Sequence, residues 1–189
     1  ESGQCVRQGF MKQADIDLNA LSGPHAFLGG LVHIYERPFG HRSGTDAVLL
    51  AACLPQNAKG LAIDLGCGSG VVGLAAVAKH AELQAVLVDH DPFMVRLAQE
   101  NSALNRLSDR TRVFEGDILT PRALITSDGL VEESADFVLT NPPFHPAGRV
   151  RISPHATRAK AHVMDDEALA LWIKTAGKIL KPPGQFLMI

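Results

Sequence analysis

The chain has 189 residues, of which 46% are hydrophobic and 20% charged, and its formal net charge is −2. These values predict one globular domain with a substantial core, and the small net charge neither requires nor excludes a nucleic-acid partner. The apolar runs are far too short to span a membrane, and three cysteines without C-x-x-C spacing predict reduced thiols and a cytoplasmic location.

The first predicted elements precede the main alternating pattern. Residues 1–25 are expected to form an N-terminal segment, and no signal peptide is recognised in it, although the chain begins with Glu1. Residues 26–37 (AFLGGLVHIYER) are predicted to form a glycine-interrupted hairpin. A helix is predicted over 44–54, with Thr45 or Asp46 as its N-cap.

From residue 60 onward, predicted strands alternate with predicted helices. The strands are LAIDLG (61–66), QAVLVDH (84–90), TRVFEGDI (111–118), ADFVLTN (135–141) and GQFLMI (184–189). The helices cover 71–80, 91–107 with Asp91 at the N-cap and Pro92 in the first position, and 165–180, ending near Pro182-Pro183-Gly184. This alternation predicts an α/β fold with an open, mostly parallel sheet and helices on both of its faces, in which ligands bind at the carboxyl ends of the strands.

A glycine-rich turn, DLGCGSG (64–70), leaves the first of these strands. Asp64 opens it, and Gly66, Gly68 and Gly70 allow the backbone to turn sharply and to approach a ligand closely. Asp89, at the end of the next strand, can accept hydrogen bonds from both hydroxyls of a ribose. Asp117 follows the third strand and can accept one from an adenine amino group. Together these residues predict a site for a nucleoside cofactor.

The same loop also matches a different fingerprint. Residues 68–73 (GSGVVG) satisfy G-x-G-x-x-G, which is typical of dinucleotide binding. However, the turn already starts at Gly66, Gly73 falls inside the predicted helix, and an acidic residue beside the loop favours a cationic ligand over a pyrophosphate. A nicotinamide-dependent oxidoreductase therefore stays as an alternative. It does not explain the Asn-Pro-Pro-Phe motif described next.

The fourth strand runs directly into Asn141-Pro142-Pro143-Phe144. The two prolines stiffen the backbone between an amide and an aromatic ring. Because this group follows a strand, it is expected at the same edge of the sheet as the glycine loop. The sequence thus predicts a rigid amide acceptor and a ring beside the cofactor site.

These motifs resemble those of S-adenosylmethionine-dependent methyltransferases of the Rossmann-like class I. DLGCGSG resembles their first motif, and Asp89 and Asp117 fall where that class contacts the ribose and the adenine. NPPF resembles the motif of amino-methyltransferases, which act on exocyclic amines of bases or on glutamine amides. The resemblance implies that Asn141 and the Pro142 carbonyl accept the two amine hydrogens, that Pro143 helps to hold them, and that Phe144 stacks on a flipped base.

A closer resemblance is to the tRNA1(Val) adenine-N6-methyltransferase family. It rests on residues 40–52 (GHRSGTDAVLLAA) and 155–164 (HATRAKAHVM) and covers roughly residues 26–189, the expected methyltransferase domain with its preceding hairpin. It implies adenine N6 of a tRNA anticodon loop as the target, and Thr45 and Asp46 at the methionine end of the cofactor. That family usually has two further strands, so the sheet is expected to lack its last two.

A basic segment after NPPF predicts contact with RNA phosphates, with a solvated loop as the alternative. Its residues are Arg149, Arg151, Arg158 and Lys160. The spacing of His25, His33 and His41 predicts no metal site. Cys67 is expected to be a small filler and Trp172 a core residue.

Three further functions stay open, as does the oligomeric state. Phe144-His145 resembles the NPPFH of ribosomal RNA guanine-N2-methyltransferases. Glutamine-N5-methyltransferases that act on translation factors also carry an NPP-aromatic motif. A non-catalytic RNA-binding module could keep the same fold, although it would need neither Asn141 nor the glycine loop.

Overall fold

The computed structural model describes residues 16–38, 44–126, 129–142 and 166–189. The strands are β1 (Ser22–Phe27), β2 (Val32–Glu36), β3 (Gly60–Leu65), β4 (Leu83–Asp89), β5 (Thr111–Glu115), β6 (Ala135–Thr140) and β7 (Leu180–Met188). The helices are α1 (Thr45–Ala52), α2 (Val71–Lys79), α3 (Pro92–Leu104), α4 (Pro121–Leu124) and α5 (Asp166–Ile179). Within these ranges, no helix is both long and apolar enough to cross a membrane.

Strands β3 to β7 form one parallel sheet in the order β5-β4-β3-β6-β7. The chain proceeds outward from β3 to β5 and then crosses to β6 on the other side of β3, so the strand order reverses between β3 and β6. Leu65 pairs with Val88 on one side and with Thr140 on the other, which aligns the carboxyl ends of the three central strands. In sheets of this kind, the crevice at the reversal is where ligands bind. The predicted open parallel α/β sheet is confirmed.

Helices cover both faces of the sheet, as predicted. Successive residues of a strand point to opposite faces, and the two faces here bury separate cores. Ala62 of β3 and Leu139 of β6 lie in a core with α1 and α2, whereas Ile63 and Val138 lie in a core with α5. The sheet is therefore held from both sides, and its carboxyl edge is left for the site.

The predicted hairpin is confirmed as the antiparallel pair β1–β2, but its predicted start at residue 26 is wrong, because β1 begins at Ser22. Two asparagines attach the hairpin to α3. Oδ1 of Asn101 accepts from the Tyr35 N–H, and Oδ1 of Asn105 accepts from the His33 N–H, both at 2.8 Å. Each Nδ2 donates back to the carbonyl of the same residue, at 2.9 and 2.7 Å. Positions four apart share a helix face, so α3 presents two amides to β2 much as a neighbouring strand would.

The helix ends differ in how well the sequence predicted them. Asp91 caps α3 as predicted, accepting from the Phe93 N–H at 2.9 Å with Pro92 in the first turn. The predicted cap of α1 is wrong, because Gly44 takes the N-cap position and no side chain of the described ranges caps the helix. Thr45 is already the first helical residue, one position too late to cap.

The predicted break before the last strand is also wrong. β7 follows α5 without a gap and includes Pro182, Pro183 and Gly184. Its pairing with β6 is irregular between Ala135 and Phe137. Prolines are tolerated at bulges and on edge strands because no ladder hydrogen bond is required from them there.

Candidate active site

The glycine loop is anchored on the neighbouring strand and closed by one hydrogen bond of its own. The backbone N–H groups of Gly66 and Cys67 both donate to the Val88 carbonyl, each at 2.9 Å. The Gly70 N–H donates to the Cys67 carbonyl at 2.8 Å, which closes the turn before α2. The end of β4 therefore determines where the loop lies.

Two glycines in the loop have distinct reasons to be glycine. Gly66 has φ +73°, and a Cβ there would lie 3.0 Å from the Trp172 ring. Gly68 has φ +55°, and no atom of the described residues beyond its chain neighbours lies within 4 Å of where its Cβ would be. Both conformations disfavour other residues, but only Gly68 borders open space. A ligand can therefore approach the backbone at Gly68.

Asp89 lies at the end of β4, directly against this loop. Its Oδ2 accepts from the Gly68 N–H at 2.8 Å and its Oδ1 from the Asp91 N–H at 2.9 Å, and the residue is 7% exposed. An ionised carboxylate offers about four lone-pair positions, so each oxygen keeps capacity for a further donor. Two adjacent ribose hydroxyls suit this remaining capacity.

Asp64 lies beneath the same loop and is 1% exposed. Its Oδ2 accepts from the Gly73 N–H at 2.8 Å. Burial raises the pKa of Asp64 from 3.8 to about 7; the Gly73 hydrogen bond lowers it and the charge of Asp89 raises it further. Burial, followed by Asp64 and Asp89, also raises the pKa of the Cys67 thiol, which fits its predicted role as a filler.

Gly73 is the third residue of α2, and its hypothetical Cβ would lie 3.0 Å from Leu87. This glycine therefore allows α2 to pack closely on β4. With the Asp89 carboxylate beside the loop, a pyrophosphate would meet negative charge, whereas a positively charged ligand would be favoured. These residues fit S-adenosylmethionine, which joins a ribose to a sulfonium and carries no phosphate.

Asp117 lies after β5 and is exposed. Its Oδ1 accepts from the Leu119 N–H at 2.9 Å, so the carboxylate is partly used by its own turn. The next residue, Ile118, is buried, and its carbonyl accepts from the Thr175 hydroxyl of α5 at 3.0 Å. The loop at Asp117 is thus fixed to α5.

Asn141 and Pro142 follow β6 directly, on the opposite side of β3 from Asp89. Asn141 is half-buried and Pro142 is buried. The carboxyl ends of β3, β4 and β6 therefore bring the glycine loop, Asp89 and Asn141 to one edge. This is the grouping that the two sequence motifs predict.

The structure links the other predicted site residues to the glycine loop less directly, or does not describe them. Thr45 and Asp46 are exposed in the first turn of α1, and in the described part of the chain neither is bonded to the glycine loop. The remaining predicted residues lie outside the described residues and stay predictions. They are Pro143, Phe144, Arg149, Arg151, Arg158 and Lys160.

Sequence reasoning missed Asn101. It is fully buried, and its Nδ2 donates to the Ser69 carbonyl at 2.9 Å as well as to Tyr35. One side chain therefore joins the glycine loop to the hairpin. Nothing in the sequence distinguishes it from a surface asparagine on a helix.

Trp172 is a core residue, as predicted, but it also has a polar contact. Its Nε1 donates to the Thr140 hydroxyl at 3.0 Å, and that hydroxyl donates to the Leu65 carbonyl at 2.8 Å. A buried indole N–H requires an acceptor, so the sequence did carry a signal that Trp172 has a polar partner.

The chain is similar to known proteins at several levels. Residues 42–189 match the family model described as methyltransferase small domain. Ribosomal RNA large subunit methyltransferase G of Shewanella amazonensis is 39% identical over 100 residues, which is 52% of this chain and 24% of the relative. The chain thus spans about a quarter of the length of this curated relative.

Solved structures share the fold. An O-methyltransferase family protein from Burkholderia thailandensis is 22% identical with a TM-score of 0.55, over 75% of this chain and 36% of that one. TYW2 of P. horikoshii, in complex with MeSAdo, is 17% identical with a TM-score of 0.55, over 86% and 49%. At these identities the likeness is one of fold, and that fold is the Rossmann-like fold of class I methyltransferases.

Proposed function

The chain is an S-adenosylmethionine-dependent methyltransferase domain of the methyltransferase small domain family, and we propose that it methylates an exocyclic amine of a base in RNA. One observation carries the choice of an amine. Asn141 and Pro142 leave β6 beside the glycine loop, across the crevice between β3 and β6. An amide oxygen and a backbone carbonyl at this place are acceptors for the two hydrogens of an amino group.

The acceptors act on the geometry of the nitrogen. An exocyclic amine is a weak nucleophile because its lone pair is delocalised into the ring. Hydrogen bonds to Asn141 Oδ1 and the Pro142 carbonyl favour a tetrahedral nitrogen whose lone pair points toward the cofactor. The acceleration comes from positioning and preorganised dipoles, since the nitrogen becomes acidic once methylated and loses its proton without a strong base.

On the other side of the crevice, Asp89 and the glycine loop would hold the cofactor. When bound, S-adenosylmethionine supplies an electrophilic methyl group on a positively charged sulfur. Asp89 would accept from the ribose hydroxyls, and the open space at Gly68 would admit the ligand to the backbone. Asp117 would contact the adenine amino group, and Thr45 and Asp46 would border the methionine end.

Ribosomal RNA is the substrate that the comparisons favour. The relative at 39% identity is named for methylation of large-subunit ribosomal RNA, and Phe144-His145 resembles the ribosomal guanine-N2 motif. The basic residues Arg149, Arg151, Arg158 and Lys160 would track its phosphates, with affinity that falls as salt rises.

A second candidate is adenine N6 of a tRNA anticodon loop. It is supported by the resemblance of residues 40–52 and 155–164 to the tRNA1(Val) family, and this finer specificity stays a prediction. Both candidates share the acceptor group and the cofactor site. They differ in the base that carries the amine.

The test is methyl transfer from labelled S-adenosylmethionine to unmodified large-subunit ribosomal RNA and, separately, to unmodified tRNA. Nucleoside mass analysis identifies the product, and Asn141→Ala runs beside the wild type. N2-methylguanosine in ribosomal RNA, lost in the variant, supports the first candidate, and N6-methyladenosine in tRNA supports the second. Label only in protein, or equal label with Asn141→Ala, contradicts the proposal.

A further inference from the structure

The relay formed by Trp172, Thr140 and Leu65 joins the two halves of the site. Thr140 directly precedes Asn141, and Leu65 directly precedes Gly66. The Thr140 hydroxyl accepts a hydrogen bond from the indole N–H and donates one to the Leu65 carbonyl. The relay therefore crosses between β3 and β6 one residue beneath both loops.

The indole ring adds packing to this relay. Its Cζ2 and Cη2 atoms lie 3.0 Å from where a Cβ on Gly66 would be, so the ring lies directly against the first glycine of the loop. Trp172 is 7% exposed and Thr140 is fully buried. Hydrogen bonds in such surroundings are stronger than in water and hold their partners rigidly.

We propose that Thr140 and Trp172 are positioning residues, which hold the glycine loop in place beside Asn141 and thereby set the affinity for the cofactor. The inference rests on the proposed function, because it assigns the two loops to cofactor and acceptor. Neither side chain touches a reacting atom. Both act through neighbouring backbone: Thr140 directly precedes Asn141, and the Trp172 ring lies against Gly66.

The sheet offers a matched control at its opposite edge. Thr111 begins β5, and its hydroxyl donates to the Leu107 carbonyl at 3.0 Å and pairs with the Ser102 hydroxyl at 2.5 Å. Thr111→Val and Thr140→Val thus make the same chemical change in similar networks. Only Thr140 lies at the carboxyl edge.

The experiment measures binding of S-adenosylhomocysteine to the full chain by calorimetry. Trp172→Phe breaks one hydrogen bond of the relay and Thr140→Val breaks both. Because the loop is then held less firmly in the bound state, each variant should bind about fivefold to tenfold more weakly. The double variant should weaken binding little more than either single change, since both break one relay. Thr111→Val should lower the melting temperature and leave affinity within about twofold. Thr140→Ser, which keeps the hydroxyl, should restore wild-type affinity.

A spectroscopic readout follows the same contact. Trp172 is the single tryptophan in the chain, so its fluorescence reports this place alone. Removal of its acceptor in Thr140→Val should shift the emission to shorter wavelength, and Thr111→Val should leave it unchanged. An unshifted emission in Thr140→Val contradicts the relay.

The outcomes separate the two proposals. Wild-type affinity in Thr140→Val and Trp172→Phe, with only the melting temperature lowered, overturns the positioning role and leaves the proposed function standing. Normal binding by the wild type without methyl transfer to any RNA overturns the proposed substrate and leaves the positioning role standing. A wild-type chain that binds no S-adenosylhomocysteine overturns both.

Discussion

The Gly68 N–H donates a 2.8 Å hydrogen bond to Oδ2 of Asp89, so the glycine loop of β3 is tied to the end of β4. The same carboxylate is the proposed ribose contact. It therefore shapes the loop and, in the proposed complex, would also contact the ligand. Removal of its charge should affect both roles.

Asp89→Asn should weaken binding of S-adenosylhomocysteine by about tenfold to a hundredfold. The amide has one acceptor oxygen for donors that two carboxylate oxygens now serve, and each lost bond to a charged group is worth about 1.5–3 kcal/mol. Calorimetric titration measures the change, and circular dichroism checks that the fold is kept. A folded variant with wild-type affinity would place the ribose elsewhere.

Asp64 should make the stability of the domain depend on pH. Its pKa rises from 3.8 to about 7 on folding, so the folded state binds more protons than the unfolded state between these values. Stability therefore falls as pH rises from about 4 to about 7. Urea unfolding of wild type and Asp64→Asn across this range measures the difference. The variant should lack this fall, and parallel curves for the two proteins would contradict it.

Asn101 and Asn105 should differ in consequence although they make similar bonds to β2. Asn101→Asp removes the donors to two carbonyls, Tyr35 and Ser69, and should cost about 2–5 kcal/mol. Asn105→Asp leaves the glycine loop untouched. Urea unfolding and cofactor titration together test this, and only Asn101→Asp should lower both stability and affinity. Equal affinities in the two variants would mean that the Ser69 contact has no effect on the site.

Arg110 should contribute to stability through the end of α2. Its Nη1 donates to the carbonyls of Val77, His80 and Ala81 at 2.9, 3.0 and 3.2 Å. Val77 lies in the last turn of α2 and His80 is its C-cap, so the guanidinium lies at the negative end of the helix dipole. The His80 carbonyl also accepts from the Leu83 N–H at 3.2 Å. Arg110→Met should lower the free energy of unfolding by about 1–3 kcal/mol, measured with urea, while cofactor affinity stays unchanged. An unchanged free energy would mean that water replaces the guanidinium fully.

Local patterns predicted the architecture well. The short apolar runs around Ile63 and Val138 and the Asp91-Pro92 start of α3 each carry their own signal, because strand burial and capping depend on neighbouring residues. The glycine loop and Asn141 were predicted to meet because carboxyl ends of parallel strands share one edge.

Contacts between distant residues were not predictable in the same way. Asn101 looks like a surface residue until β2 lies beside it, 66 positions away in the chain. Pro182 and Pro183 looked like a break, and only the irregular pairing of β6 and β7 accommodates them. Gly44 replaces Thr45 and Asp46 as the cap because the helix begins one residue earlier than a side-chain cap would allow.

The Val88 carbonyl, which accepts from both Gly66 and Cys67, has a kinetic consequence. The loop acquires its shape only when β3 and β4 are paired, so the cofactor should bind the folded domain and not the unfolded chain. A ligand that binds after the barrier slows unfolding and leaves the refolding rate unchanged. The cofactor would then protect this domain by prolonging the lifetime of the native state.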